Sequence, residues 1–224
     1  MQSGNLLLEP SGSRAVLSAV CWGSFFSMNA ITQHKDRLRQ QLRQQRQMLT
    51  TTEQDAAANM IAKHTLALPQ WARVSSVAIY LAADGEADPQ PLARRALQQG
   101  KHLFLPVIQA DNTLRFARWK PGDSLVKNKF GIGEPAAHTQ SVTAAAVDLI
   151  CMPLVGWSSD GTRLGMGGGF YDRTLTSASN AIRLGLGYNC QQSDDIPHEQ
   201  WDVSLHWVVT EVGLHQCLST DANT

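Results

Sequence analysis

Apolar residues follow two rhythms along this chain, one belonging to helices and one to buried strands. From Ile31 to Leu49 the run ITQHKDRLRQQLRQQRQML places Leu38, Leu42 and Leu49 on one helical face. Lys35, Arg39, Arg43 and Arg46 step by four, four and three residues and line up on a neighbouring face. Thr50 followed three residues later by Glu53 is a capping box. It predicts a second helix reaching about Leu66, with Ala57, Met60, Ile61 and Leu68 turned inward. VAIYLA (77–82) is short, apolar and β-rich, as a buried strand should be, and Asp84-Gly85 breaks it. PLARRALQQG (91–100) carries proline near a helix start and glycine past its end. HLFLPV (102–107) is the next strand, so this βαβ unit predicts two parallel strands.

Further on, LRFARW (114–119) alternates apolar and basic residues and reads as a half-exposed strand. LVKNKFGIGEP (125–135) is interrupted by glycine and reads as irregular. VDLICMPLVGW (147–157) is another buried strand, FYDRTLTSA (170–178) a helix, and AIRLGLGYN (181–189) and HWVVTEVG (206–213) the last strands. Strands alternating with helices predict an α/β fold: a single open, mostly parallel twisted sheet flanked by helices. Residues 1–29 are expected to be a poorly structured N-terminal extension ahead of a domain spanning 30–224. AVLSAVCWGSFF (15–26) is mildly apolar, but Ser18, Trp22, Gly23 and Ser24 interrupt it and no small-residue cleavage site follows.

Composition narrows the function classes. Among 224 residues, Lys+Arg and Asp+Glu are both 19, so no net field recruits nucleic acid or an anionic membrane. No apolar run approaches the about 18 residues of a membrane span. Cys21, Cys151, Cys190 and Cys217 form no CxxC pair, and the histidines show no zinc spacing. That usage predicts buried, reduced thiols in a cytoplasmic protein.

The segment with chemistry in it is DGTRLGMGGGFYDR (160–173). Its order is buried strand, Asp-Gly turn, glycines, helix, which puts the glycines at the carboxyl edge of the sheet against a helix N-terminus. Free N–H groups and the helix dipole there favour an anion, and glycines let backbone approach a phosphate closely. Arg163 supplies a bidentate fork beside it, and Asp172 a carboxylate suited to Mg2+. Neither common phosphate fingerprint fits. There is no GK[ST], and the sixth position counted from Gly165 is Phe170 rather than glycine. The plain alternative is a tight packing loop, and for the basic stripe a solvated face.

RLGMGGGFYDR (163–173) resembles the signature of the 5-formyltetrahydrofolate cyclo-ligase family. KDRLR (35–39), GEADPQPL (85–92), KNKFGIGEP (127–135), DLICMPLVGW (148–157) and WDVSLHWVVT (201–210) resemble further pieces of the family, in order. The resemblance implies a reaction dependent on ATP and Mg2+. ATP phosphorylates the formyl oxygen of 5-formyltetrahydrofolate, N10 attacks the activated carbon, and loss of phosphate leaves 5,10-methenyltetrahydrofolate. It implies ATP contacts from Lys35, Arg39, Arg163, Leu164, Gly165, Met166, Gly167, Gly168, Gly169, Phe170 and Tyr171. Arg163 is expected to stabilise the transferred phosphoryl group, Glu86 to contact the folate, and Asp172 and Asp202 to serve the metal. Trp119 and Phe130 offer an apolar wall for the pterin, while Arg43 and Arg46 are expected to face solvent. A monomer is expected, with no nucleic acid or membrane partner.

Three positions depart from the family's pattern. Some relatives carry lysine at Gly168, tyrosine is frequent at Phe170, and threonine is common at Pro89. The fold implied is shared with sugar-phosphate isomerases, which keeps a phosphosugar isomerase-like enzyme as an alternative. A non-enzymatic nucleotide-binding module is another, although the balanced charge argues against RNA.

Overall fold

The structure is a computed structural model that describes residues 16–136, 139–176 and 180–217, with the backbone alone for 16–29. The first helix, α1 (Val16–Gln47), starts well before Ile31. The extension expected to be poorly structured is therefore helical from Val16, and residues 1–15 lie outside the described part. Residues 16–30 contain no proline and only Gly23 as a weak breaker, so nothing local stops the helix from running upstream. α2 (Thr51–Thr65) opens with the expected capping box. The Glu53 N–H donates to the Thr50 hydroxyl oxygen at 3.3 Å, and the Glu53 carboxylate accepts from the Thr50 N–H at 2.8 Å. Ala57, Ala58, Ile61 and Ala62 form its buried stripe, and Met60, on the flank of that stripe, is exposed rather than inward.

The sheet comprises β1 (Ser76–Ala78), β2 (His102–Ile108), β3 (Leu114–Trp119), β6 (Ser141–Val142), β7 (Leu149–Pro153), β10 (Ile182–Leu186), β11 (Trp207–Val209) and β12 (Leu214–Gln216). Their spatial order is β12-β11-β10-β7-β1-β2-β3-β6. The central strands β11, β10, β7, β1 and β2 run parallel, and antiparallel strands close both edges. α3 (Gln90–Gln98) is the crossover joining β1 to β2, with Val77 in register with Leu103. Alternate residues of β7 divide between two cores. Leu149 and Cys151 pack with α2 and α3, whereas Ile150 and Met152 face Phe116 and Leu175 on the opposite side. Leu175 belongs to α4 (Phe170–Leu175), so helices cover both faces.

Two expectations change. LVKNKFGIGEP is a hairpin rather than an irregular stretch, built from β4 (Leu125–Lys127) and β5 (Gly133–Pro135). Asn128 organises its tip: its N–H donates to the Ile132 carbonyl, and its side-chain oxygen accepts from the Phe130 and Ile132 N–H groups. Among the thiols, Cys151 and Cys217 are buried as expected, but Cys190 is exposed. Cys21 carries no described side chain.

Candidate functional site

Leu38 and Leu42 of α1 pack with Val155, Leu164 and Ile196 in a small separate core. That cluster seats the helix over the hairpin of β8 (Gly156–Trp157) and β9 (Arg163–Leu164). Lys35 and Arg39, one turn apart, are thereby aimed at the glycine loop and at the 199–202 turn. Lys35 is only 8% exposed. Its Nζ lies 2.6 Å from Asp202 Oδ2 and 2.7 Å from Glu199 Oε2. Burial pulls the Lys35 pKa down, but the bonds to Asp202 and Glu199 outweigh it and hold the ammonium above its ordinary value. The Glu199 N–H donates to Asp202 Oδ2 at 3.0 Å and so fixes that carboxylate in its turn. Arg39 donates from Nε to the Gly165 carbonyl at 2.9 Å and pairs with Asp36 at 2.6 Å.

On the far side of the loop, the Arg163 side chain is 6% exposed and donates from Nη2 to Asp172 Oδ1 at 2.8 Å. Its Nε is buried with no hydrogen-bond partner. A Cβ at Gly165 would stand 2.7 Å from Arg163 Nη1, so glycine there is what lets the guanidinium fold back under the loop. Gly167 and Gly169 have φ of 91° and 63°, and Gly169 caps α4. Asp172 Oδ1 also accepts from the Val203 N–H at 3.3 Å, which draws it to the segment carrying Asp202. Two acids from distant parts of the chain thus meet at one loop, each engaged by a cation. Among the described residues no cluster of three metal-ligating side chains exists. Two carboxylates beside a glycine loop still fit Mg2+, which takes few protein ligands and completes its shell with phosphate oxygens and water.

Glu86 follows a turn in which Asp84 and Gly85 have φ of 52° and 75°. Its carboxylate accepts from the Ala83 N–H at 3.1 Å, and burial raises its pKa above the usual carboxylate value. Burial likewise raises the Tyr171 phenol, with Arg163 pulling it down and Glu86 pushing it up. The Arg163 guanidinium stands 5.7 Å over the Tyr171 ring. Phe130, 54% exposed at the hairpin tip, meets Phe170 edge-on at 5.8 Å.

Other expected residues are placed differently. Trp119 is buried and paired with Leu103 at the start of β2, the end of the sheet remote from the glycine loop. It forms part of the core and contributes no wall to this site. The Leu164 side chain faces the cluster beneath α1, while Met166 stands out on the loop. Arg43 and Arg46 do not face solvent as a pair. Arg46 is fully buried, donating to the Asp84 carbonyl at 2.9 Å and the Leu154 carbonyl at 3.3 Å and pairing with Asp84 Oδ2 at 2.7 Å. Arg43 joins the same carboxylate at 2.8 Å. At Gly168 a Cβ would meet the Phe170 ring at 2.7 Å, so a lysine there requires that ring to move. Cationic groups stand nearby all the same. The Arg39 guanidinium lies 3.6 Å from the Cβ position of Gly167, and Arg173 donates to the Gly168 carbonyl. Glu199 carries no signal in the sequence, and Asp84 reads there only as half of a turn. Arg173 does carry a signal, as the last residue of the glycine segment.

A mostly parallel α/β sheet with a glycine loop and paired acids at its carboxyl edge defines the general class, that of α/β proteins built to hold a ligand at a sheet edge. The chain belongs to the 5-formyltetrahydrofolate cyclo-ligase family, whose sequence profile matches residues 31–211. It is 37% identical to the 5-formyltetrahydrofolate cyclo-ligase of Haemophilus influenzae over 179 residues, covering 78% of this chain and 96% of that one. The Escherichia coli K12 enzyme of the same name is 36% identical, covering 75% and 96%. The solved structure of Aquifex aeolicus 5,10-methenyltetrahydrofolate synthetase superposes with a TM-score of 0.72 at 30% identity, covering 85% of this chain and 95% of that one.

Proposed function

We infer that this chain carries out its family's reaction, the ATP-dependent closure of 5-formyltetrahydrofolate to 5,10-methenyltetrahydrofolate with release of ADP and phosphate. One observation carries the assignment of roles. Lys35 with Asp202, and Arg163 with Asp172, converge around a single glycine loop. The family profile begins at residue 31, which supports a catalytic unit running from about residue 30.

An amide-like formyl oxygen is a poor leaving group, and transfer of the ATP γ-phosphoryl to it makes a good one. The N10 lone pair then forms a bond to the formyl carbon, the carbon–oxygen bond breaks, and phosphate departs as N10 loses its proton. Phosphoryl transfer asks the protein chiefly for positioning and charge stabilisation. Lys35 and Arg39 take the phosphate chain from the α1 side, exchanging carboxylate and carbonyl partners for phosphate oxygens. Backbone N–H groups of residues 165–169 line the other side. Arg163, exchanging its Asp172 partner, offers its guanidinium to the moving phosphoryl group, where charge develops. Asp172 and Asp202, released from their cations, would hold Mg2+, which supplies neutralising charge at the phosphates when bound. Glu86 accepts hydrogen bonds from the pterin, and Phe130 with Phe170 covers its face.

Incubation with 5-formyltetrahydrofolate and MgATP, followed by near-ultraviolet absorbance of the methenyl product, tests the reading. An ATP-dependent rise is expected, and a flat trace overturns it.

A further inference from the structure

A second group of cations lies on the other flank of the glycine loop and differs from the first in one respect. The cations Lys35, Arg39, Arg43, Arg46 and Arg163 all pair with a carboxylate. Arg115 and Arg173 are held by neutral acceptors instead. Arg115 donates from Nε to the Ser141 hydroxyl at 3.0 Å and from Nη2 to the Ser141 carbonyl at 2.7 Å. Arg173 donates from Nε to the Asn112 carbonyl at 3.2 Å and from Nη2 to the Gly168 carbonyl. Among the described residues neither forms an ion pair with a carboxylate.

Both line one cavity of about 540 Å3, between the turn that follows β2, the segment after β6 and α4. That volume suits a small molecule rather than a lone ion. The acid on its wall, Asp111, spends Oδ1 on the Thr113 N–H and hydroxyl, so two guanidinium groups face one carboxylate. Each anchored guanidinium keeps Nη1 free of these bonds. Rigid planar forks of this kind match a carboxylate better than a point charge does. Arg173 also holds the Gly168 carbonyl, so an occupant would sit directly behind the phosphate cradle.

We propose that this cavity is a binding site for a small molecule bearing more than one carboxylate, recognised by Arg115 and Arg173. Two sources share that chemistry: the glutamyl end of the folate substrate, with any further glutamates on it, and a free polycarboxylate. The first rests on the ring-closure reading, whereas the site itself does not.

Calorimetric titration of the full chain with the dipeptide γ-glutamyl-glutamate at low salt, without ATP, tests the site. Binding is expected, weakening as salt is added. Arg115→Gln and Arg173→Gln should each lower affinity about tenfold, the scale of one charge-assisted contact. Arg118→Gln, on the same strand but outside the cavity, should leave it unchanged. Arg115→Lys keeps the charge and loses the fork, so it carries the test if the glutamine variant does not fold. The arms are separated by KM for mono- and triglutamyl 5-formyltetrahydrofolate. A triglutamyl advantage that vanishes in Arg115→Gln assigns the site to the substrate, and dipeptide binding with no such advantage assigns it to a free anion. No binding by the wild-type chain, or binding indifferent to both Arg115 substitutions, overturns the proposal.

Discussion

The basic stripe of α1 has two ends, built alike and used differently. At one end Lys35 and Arg39 face the glycine loop, and Lys35 holds carboxylates from a turn near the carboxyl terminus. At the other end Arg46, entirely buried, ties the helix to the Asp84 turn and to the Leu154 carbonyl. The residue types and spacing match, but the partners do not. Arg46 bonds to two backbone carbonyls that cannot leave, and its loss strands them. Lys35 is joined only to side chains, those of Glu199 and Asp202. One end of the stripe is a strut that fixes the turn before Glu86, and the other, on the proposed function, is a charge balance that a phosphate takes over.

The largest effect should come from the strut. Arg46→Ala should cost about 3 kcal/mol, because it leaves a buried pair half-made. Urea unfolding of the variant checks this, and a cost under half that figure would make the two ends equivalent. Lys35→Ala should act first on the ligand, raising KM for ATP tenfold or more, and cost less stability than Arg46→Ala because its partners are side chains that can turn toward solvent. Steady-state kinetics at varied ATP beside the same unfolding assay separates the outcomes.

Acid distinguishes the ends further. The bond from Arg43 lowers the Asp84 pKa, burial opposes it, and Arg46 adds to the lowering. A carboxyl depressed in the folded state stabilises above its unfolded pKa of about 4, and that contribution disappears as pH falls through the folded value. Asp84→Asn should therefore flatten the acid limb of stability below about pH 4, while wild-type stability keeps falling there. Equal acid limbs would remove Asp84 from the account. The smallest effect belongs to Arg43→Ala, about 0.5 kcal/mol, since its partly exposed pair with Asp84 is screened.

What could be read from the sequence was whatever is local or periodic. The Leu38–Leu42 face, the Thr50–Glu53 capping box, the βαβ unit and the strand-to-glycine-loop order all lie within short windows, and each appears in the fold. The β4–β5 hairpin was missed because Leu125, Val126 and Lys127 are all exposed and give no alternation to read. Arg46 looked like its neighbours because its partners lie 38 and 108 residues away. Trp119 was placed at the site by its chemistry alone. The antiparallel register of β3 carries it to the far end of the sheet. Glu199 has no local signal in the sequence, because only the fold sets Lys35 against it.

On the proposed function, Arg163, paired with Asp172 under the glycine loop, stabilises the phosphoryl group in transit. Arg163→Ala, assayed for methenyl product with MgATP and 5-formyltetrahydrofolate and checked for folding on the same sample, tests it most directly. A kcat about 100-fold lower with the unfolding midpoint retained is the expected result. Wild-type turnover in the folded variant would contradict the claim.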